Sequence, residues 1–320
     1  MSGRHGLWAL LCSFSLLAVG CSGALEPSLP ASSSPSQWPS PAQSQAQSAP
    51  TTPSISPTPA QTEALRTALQ ALTGHGYHLG VAVAPLGGTT AFVFGDWPGG
   101  EAWSTIKVPL ALAVVQTSSG ISLGDGSDKY PYGACKADPS TGEAIRKALV
   151  NSDNCSAWQL WEGLGGDNSR AAAAVTQVLR SGGDATTTVT STGNGHRLTS
   201  GMTVWSLTDQ ATFAAHLPQL DGSQLVWTTM GLPAGDSGAG TGLHIFAGAH
   251  VKDGAGSAPP GGPVTRQLGV ISVGDGMCSA VAIGTDRSGS AFSTLTSIAS
   301  VLRANMAALP AGPCPPGMAG

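Results

Sequence analysis

The chain has 320 residues, a formal net charge of −4 and only 10% charged side chains. This length allows one large domain, or two small ones, in addition to an export sequence. Its Lys and Arg residues form no cluster, which argues against nucleic acid as a partner because phosphate binding needs concentrated positive charge. Hydrophobic residues make up 41% of the chain but aromatic residues only 5%. We therefore expect a core built mainly from small and aliphatic side chains.

The start of the chain has the features of a secretory signal sequence. An apolar run over Leu7–Val19 is too short for a spanning helix but fits the hydrophobic region of a signal peptide. Residues 17–21, Leu-Ala-Val-Gly-Cys, resemble a bacterial lipobox, although Ala18 stands where that motif usually has leucine, so ordinary cleavage nearby is the alternative. We predict a signal peptide over residues 1–20, lipidation at Cys21 and a position in the bacterial cell envelope, on the outer face of the cytoplasmic membrane.

The rest of the chain divides into a tether and a domain. Residues 21–60 are mostly Pro, Ser, Ala, Gln and Thr, which predicts a disordered tether before a domain over residues 61–320. Hydrophobic spacing in the domain predicts helices at Glu63–Leu72, Trp103–Val115, Thr141–Val150, Ala157–Leu164, Ser169–Leu179, Thr203–Leu217 and Thr294–Leu309. It predicts strands at Tyr77–Ala84, Ala91–Phe94, Leu243–Val251, Leu268–Val273 and Ser279–Gly284.

This order of elements predicts the fold class. Strands at both ends of the domain must meet across the helical middle to form one antiparallel sheet. Terminal helices would cover one face of that sheet, and the helical middle would pack as a second, all-helical lobe. The predicted class is therefore α/β, of the α+β kind.

The first candidate site motif is Ser104-Thr105-Ile106-Lys107, which begins a predicted helix directly after the first two strands. Positions i and i+3 share a helix face, so the Ser104 hydroxyl and the Lys107 amine can meet. A serine at a helix N-terminus lies in the positive end of the helix dipole, and a desolvated lysine can lose its proton and act as a base. Alone, this pattern is common on helices, where it usually marks an exposed pair.

Two further triplets follow in order. Ser152-Asp153-Asn154 lies between two helical segments, where these residue types also favour a helix cap, and Lys252-Asp253-Gly254 follows the predicted strand that ends at Val251. Over residues 61–310 the chain resembles the class A β-lactamase and penicillin-binding family, whose ordered signature is S-x-x-K, S-D-N and K-T-G. The resemblance implies a β-lactamase/transpeptidase-like fold.

The resemblance also implies a serine hydrolase acting on a small-molecule β-lactam or on the amide of a peptidoglycan peptide. Ser104 would attack the carbonyl carbon, and Lys107 would accept its proton, directly or through water. Ser152 would pass a proton to the leaving nitrogen, while Asn154 would orient Lys107 and bind the substrate amide. Lys252 would supply positive potential, and the Ser104 N–H with one from the strand after Lys252 would form the oxyanion hole.

Asp253 departs from the family pattern, because it replaces the threonine of K-T-G. The threonine hydroxyl donates to the substrate carboxylate, whereas an ionised aspartate can only accept. Asp253 and Gly254 remain candidates for substrate binding, but we expect Asp253 to oppose tight binding of an ordinary penicillin unless it points away from the cleft. An esterase acting on a substrate without a carboxylate would tolerate this change.

The deacylating base is the second departure. The stretch Thr187–Ser200 has no carboxylate where the family carries the glutamate that activates water. Asp184 precedes this stretch and Glu162 lies in the predicted helix after S-D-N, so neither stands where the family has its glutamate. A lone loop histidine such as His196 is usually only solvated. We therefore predict acylation with poor deacylation. The alternative is a catalytically inactive envelope lipoprotein that uses the fold for binding or scaffolding.

Four cysteines remain in the predicted domain. An even number in an oxidising compartment indicates two disulfides, with three possible pairings. We favour Cys135–Cys155, which would brace the loop before the S-D-N triplet, and Cys278–Cys314, which would tie the C-terminal tail to the last hairpin. No C-x-x-C or paired-histidine spacing supports a metal, so we expect neither a metal nor a cofactor. The sequence leaves the oligomeric state open.

Overall fold

The computed structural model describes residues 54–73, 78–117, 135–136, 138–192, 199–235, 240–258, 262–286 and 291–318. The predicted signal peptide, Cys21 and most of the predicted tether lie outside these residues. Structure belonging to the domain is already present before residue 61: Ile55 forms an antiparallel bridge with Ala311, and the first helix, α1, spans Pro59–Thr73. In the ranges just given, no helix is long and apolar enough to cross a membrane.

Strands near both ends of the domain enclose a mainly helical middle, largely as the sequence predicts. After α1, the described helices are α2 (Lys107–Thr117), α3 (Thr141–Val150), α4 (Asn154–Gly163), α5 (Asn168–Ser181), α6 (Leu207–His216), α7 (Ser223–Met230) and α8 (Ala291–Ala304). The described strands are β1 (Leu79–Pro85), β2 (Phe92–Gly95), β3 (Gly99–Glu101), β4 (Val204–Ser206), β5 (His250–Ala258), β6 (Gly262–Gly274), β7 (Met277–Thr285) and β8 (Gly312–Pro313). Short 3-10 turns at Trp103–Ile106 and Gly242–Ile245 flank the region described below as the site.

The main sheet is antiparallel and joins the two ends of the domain. Its strand order is β2-β1-β7-β6-β5, with β8 paired to β7. β1 pairs with β7 along its whole length, so strands from the two ends of the domain meet across the helical middle as predicted. β5 is the edge strand, paired with β6 on one side. A separate two-stranded sheet joins β3 to β4.

The two faces of the sheet carry side chains of different size. Because successive residues of a strand point to opposite faces, Val81 and Val83 of β1 pack with α1 and α8, in a cluster that includes Leu65 and Leu295. Ala82, on the other face of β1, joins the cluster of α6 and the helical lobe. Terminal helices thus cover one face and a helical lobe the other, which confirms the predicted fold class.

The region predicted as a helix over Thr203–Leu217 divides into two elements. Its first residues form β4, which pairs with β3, and α6 begins only at Leu207. Ser206 is the N-cap of α6, because its hydroxyl accepts the Asp209 N–H at 3.0 Å. A capping serine satisfies an unpaired N–H of the first helical turn and so fixes where the helix starts. The next helix, α7, has no counterpart among the predicted elements.

The strand predicted over Leu243–Val251 is also wrong in its bounds. Its first part is a 3-10 turn, and β5 begins only at His250. Gly242 and Gly248 adopt φ values of 55° and 66°, a left-handed conformation that interrupts an extended run. The Lys252-Asp253-Gly254 triplet therefore lies inside β5 rather than after it.

Two disulfides are present in the described residues. Cys135 is joined to Cys155, and Cys278 is joined to Cys314, which is the pairing favoured from the sequence. The first ties the segment before α3 to the first turn of α4, directly beside the S-D-N triplet. The second ties the C-terminal segment to β7.

Candidate active site

The 3-10 turn Trp103–Ile106 presents Ser104 at the start of α2. Side chains at i and i+3 eclipse in a 3-10 helix, so Ser104 and Lys107 lie on one side of the chain, and the Lys107 N–H donates to the Ser104 carbonyl. Trp103, the residue before the serine, has a φ of 48°, which is strained for a bulky side chain. Ser104 is half-buried, and among the described residues no side-chain hydrogen bond joins it to Lys107.

The Lys107 amine is buried and held by the S-D-N triplet. Only 2% of the residue is exposed, and its Nζ donates to Asn154 Oδ1 at 2.7 Å and to the Ser152 carbonyl, with Ser152 Oγ at 3.5 Å. Burial lowers the Lys107 pKa well below its usual value; the Lys252 charge lowers it further, and Asp153 acts in the opposite direction. Burial and the Lys252 charge both favour the neutral amine, the form that can accept a proton.

Ser152 lies between two lysines. Its φ of 54° places it in the left-handed region, and Lys252 Nζ donates to its hydroxyl at 3.0 Å. Lys252 Nζ also donates to the Asp253 carbonyl at 3.1 Å. Burial lowers the Lys252 pKa to about 8, while the Asp253 carboxylate acts to raise it. The Ser152 hydroxyl therefore connects the two basic side chains of the candidate site.

The helix-cap role expected for such a triplet belongs to its middle residue. Asp153 is the N-cap of α4, and its carboxylate accepts the Ser156 N–H at 2.7 Å. This cap begins α4 at Asn154, whose side chain then reaches Lys107. Asp153 thus caps the helix, while its neighbours Ser152 and Asn154 bond to Lys107.

The edge of β5 lies against the turn that carries Ser104. A Cβ atom added to Gly254 would lie 2.8 Å from the Ala102 carbonyl and 3.1 Å from the Thr105 nitrogen. A side chain at this position would therefore push the strand away from the turn. β5 is also an edge strand, so the backbone groups on its outer side have no strand partner. This arrangement is suited to binding a carbonyl oxygen.

Asp253 points away from the Lys252 face of β5. Its Oδ1 accepts from Gln267 Nε2 at 2.6 Å, and its Oδ2 lies 3.1 Å from His244 Nε2. Burial raises the Asp253 pKa, but the hydrogen bond and charge of His244, together with Lys252 and Gln267, outweigh it and lower the pKa overall. The ionised carboxylate thus lies against the turn Gly242–Ile245. The sequence analysis missed His244, because only the folded turn brings it to Asp253.

A buried arginine holds the segment that leads into Ser104. Arg266 on β6 is fully buried and pairs in register with Gly254 of β5. Its guanidinium donates to the Gly100 carbonyl at 2.8 Å and the Trp205 carbonyl at 2.9 Å, and to Gln210 Oε1 at 2.8 Å. It therefore fixes β3 and β4 beside the main sheet, and β3 runs directly into the turn that carries Ser104. No sequence pattern marked this residue.

The segment after α5 has no acid placed for deacylation among the described residues. Asp184 is fully buried and accepts from Trp205 Nε1 at 2.9 Å and from the Thr187 N–H at 2.9 Å. It anchors the loop rather than facing a substrate. Glu162 lies on α4, and His196 lies outside the described residues. Within those same ranges, no three His, Cys, Asp or Glu side chains are grouped to hold a metal ion.

The solved structures that resemble this chain in fold include class A β-lactamases. TLA-1 extended-spectrum β-lactamase superposes with a TM-score of 0.60 at 17% identity, covering 77% of this chain and 99% of the other. The class A representative from Bacteroides cellulosilyticus gives 0.56 at 15% identity, covering 76% and 98%. The chain has the class A β-lactamase fold.

A mutant of the class A β-lactamase of the last common ancestor of Gram-negative bacteria gives a TM-score of 0.56 at 23% identity, covering 75% of this chain and 96% of that one. No protein-family model and no curated protein matches the chain. The structural likeness establishes the β-lactamase-like fold, and a fold by itself does not determine the chemistry of a site.

Proposed function

We propose that the domain is a serine acyl-enzyme of the β-lactamase-like type, acting on a β-lactam or a peptidoglycan-peptide amide and deacylating slowly. The observation that supports this best is the position of the Lys107 amine. It is buried, has a lowered pKa and is bonded to Ser152 and Asn154, one turn from Ser104. A merely structural Ser/Lys pair on a helix would leave the lysine in solvent.

The proposed reaction moves protons among Ser104, Lys107 and Ser152. Ser104 Oγ attacks the carbonyl carbon, and its proton passes to the Lys107 amine, directly or through water. The developing oxyanion accepts from the Ser104 N–H and from an N–H at the edge of β5. When the carbon–nitrogen bond breaks, Ser152 Oγ donates its proton to the leaving nitrogen. The Lys107 ammonium then returns a proton to Ser152, 3.5 Å away.

Slow turnover is part of this proposal. Hydrolysis of the acyl-enzyme needs a base that activates water. The stretch Thr187–Ser200 contains no carboxylate, and both oxygens of Asp184 are occupied by donors from the loop and Trp205. Acylated Ser104 should therefore persist.

The proposed location is the outer face of the cytoplasmic membrane, reached by export and lipidation of Cys21. Residues 1–20 would be the signal peptide, and the Pro- and Ser-rich segment after Cys21 the tether. Two disulfides in the domain support an oxidising compartment. Peptidoglycan peptides are accessible from that side of the membrane.

The test is intact-mass measurement of the exported chain, with Cys21 replaced by serine, after exposure to a penicillin and to a fluorophosphonate. We expect a stable adduct with at least one reagent on the wild type. The matched controls are Ser104→Ala, which should take up nothing, and Ser297→Ala, which removes an exposed serine on α8 and should label normally. If neither reagent adds mass to a folded wild-type domain, the acyl-enzyme proposal fails and the inactive, binding role is favoured.

A further inference from the structure

A buried carboxylate that the proposed reaction does not use joins the two helices on either side of the S-D-N triplet. The Asp138 side chain is only 2% exposed. Its Oδ1 accepts from the Lys147 amine, in the last turn of α3, and its Oδ2 accepts from Ser156 Oγ at 2.6 Å, in the first turn of α4. Along the chain, the loop that carries the triplet lies between these two partners. We call this pair of bonds the Asp138 clamp.

The segment that carries Asp138 is itself fixed to α4. The Asp138 N–H donates to Gln159 Oε1 at 2.9 Å, and Gln159 Nε2 donates to the Lys136 carbonyl at 2.8 Å. The disulfide between Cys135 and Cys155 joins the same segment to the first turn of α4. The carboxylate is thus presented from a segment anchored on α4, and its second oxygen extends that anchor to α3.

Lys147 also shapes the loop between α3 and α4 through its backbone. Its carbonyl accepts the N–H of Asn151 and the N–H of Asp153, both at 3.1 Å. Ser152, between these two donors, has a φ of 54°. A left-handed conformation is costly for a residue with a side chain and persists only where its surroundings impose it. In this conformation the Ser152 carbonyl accepts from the Lys107 amine.

We propose that Asp138 is a positioning residue for the acylation step: by tying α3 to α4, it holds the S-D-N triplet on the Lys107 amine and keeps water from that amine. This inference rests on the proposed acyl-enzyme function. It adds to the site a residue that lies outside the three motifs and acts through Lys147 and Ser156.

Opening the clamp should leave less of the Lys107 amine neutral near pH 7. Burial is the largest cause of the lowered Lys107 pKa, so water that reaches the amine raises this pKa. A pKa higher by about one leaves about a tenth as much neutral base at a given pH below it. We therefore expect acylation to slow about tenfold at about pH 7, with a loss that shrinks as pH rises and the amine becomes neutral again. Lys252 and Asp153, whose charges also act on the Lys107 pKa, are unchanged in every variant below.

The test is the pH profile of Ser104 modification in the full chain with Cys21 replaced by serine. The rate constant is measured by intact mass from about pH 6 to about pH 10, with a fluorophosphonate, or with a penicillin where only that reagent modifies the wild type. Asp138→Ala removes both bonds of the clamp and should show the pH-dependent loss. Asp138→Asn keeps an oxygen and an amide nitrogen at the same place, so its rate should lie between those of Asp138→Ala and the wild type.

Two further variants complete the test. The matched control, Glu143→Ala, removes a carboxylate that pairs with Arg146 on α3 and leaves the clamp intact, so its profile should be that of the wild type. Ser156→Ala removes only the bond to α4 and should show a smaller loss with the same pH dependence, which decides the matter even where Asp138→Ala does not fold.

Two results would overturn this inference while the acyl-enzyme proposal stands. One is a wild-type pH profile for the folded Asp138 variants and for Ser156→Ala. The other is a loss of equal size at every pH, because it would give Asp138 a role in folding alone. If no reagent modifies Ser104 in the folded wild type, the acyl-enzyme proposal and this inference both fail.

Discussion

Replacing Lys252 should change how the stability of the domain depends on pH. The residue is 2% exposed, and burial lowers its pKa from 10.5 to about 8 against the raising effect of Asp253. Between these two pH values the folded protein binds fewer protons than the unfolded chain, so the free energy of unfolding rises with pH across that window. From about pH 7 to about pH 10.5, a shift of this size contributes about 3 kcal/mol.

The measurement is urea unfolding, followed by Trp fluorescence and extrapolated to water at both ends of that pH range. Lys252→Met removes the titrating amine and keeps most of the side-chain volume. We expect the rise in the wild type to exceed the rise in Lys252→Met by about 3 kcal/mol. The control is Lys147→Met. The hydrogen bond to Asp138 raises the Lys147 pKa, so the stability that this lysine contributes is lost as pH rises through its folded-state pKa, a pH dependence opposite in sign to that of Lys252. Equal pH dependences for the wild type and Lys252→Met would refute the argument.

Two further predictions concern the frame around the site. Arg266→Met leaves several buried acceptors unpaired and should lower the free energy of unfolding by about 3–5 kcal/mol. The control Arg303→Met, at an exposed arginine on α8, should cost less than about 1 kcal/mol. Urea unfolding of both variants measures these losses, and losses of similar size would contradict the role given to Arg266. Replacing Cys135 and Cys155 together by alanine opens a link with a sequence separation of 20 and should cost about 3 kcal/mol. A loss well below 1 kcal/mol in the same assay would show that the disulfide does not restrain the unfolded chain.

The sequence predicts the elements of the fold correctly where their bounds depend on neighbouring residues. The helix over Thr141–Val150 matches its predicted bounds, because Ser140 accepts the Glu143 N–H at 3.2 Å and fixes the first turn. The strand predicted over Tyr77–Ala84 likewise corresponds to β1, Leu79–Pro85, whose residues are buried on both faces. The bounds of β5 were not accessible, because Gly248 interrupts an apolar run that reads as continuous in the sequence.

The motifs identified the candidate site, and the structure brings Lys107, Ser152, Asn154 and Lys252 together. What the sequence could not supply was the environment of Asp253. Its partner His244 belongs to a segment predicted as a strand, and a lone histidine nine residues away carries no signal of contact. The Asp253 carboxylate is paired only because the turn Gly242–Ile245 packs beside β5 and β6 and brings His244 to it.

The two departures from the family pattern act on different steps of the proposed reaction. Asp253 lies on β5 and replaces the threonine that meets the substrate in the family pattern, so this departure concerns which substrates acylate Ser104 in the proposed reaction. The stretch Thr187–Ser200 follows α5 in the sequence and contains no carboxylate, and in the proposed reaction this departure affects only how long the acyl-enzyme lasts. Because the elements are separate, restoring a threonine at residue 253 would broaden acylation without restoring turnover. The two departures together are consistent with a protein that captures a restricted set of acyl groups rather than one that destroys β-lactams at high rate.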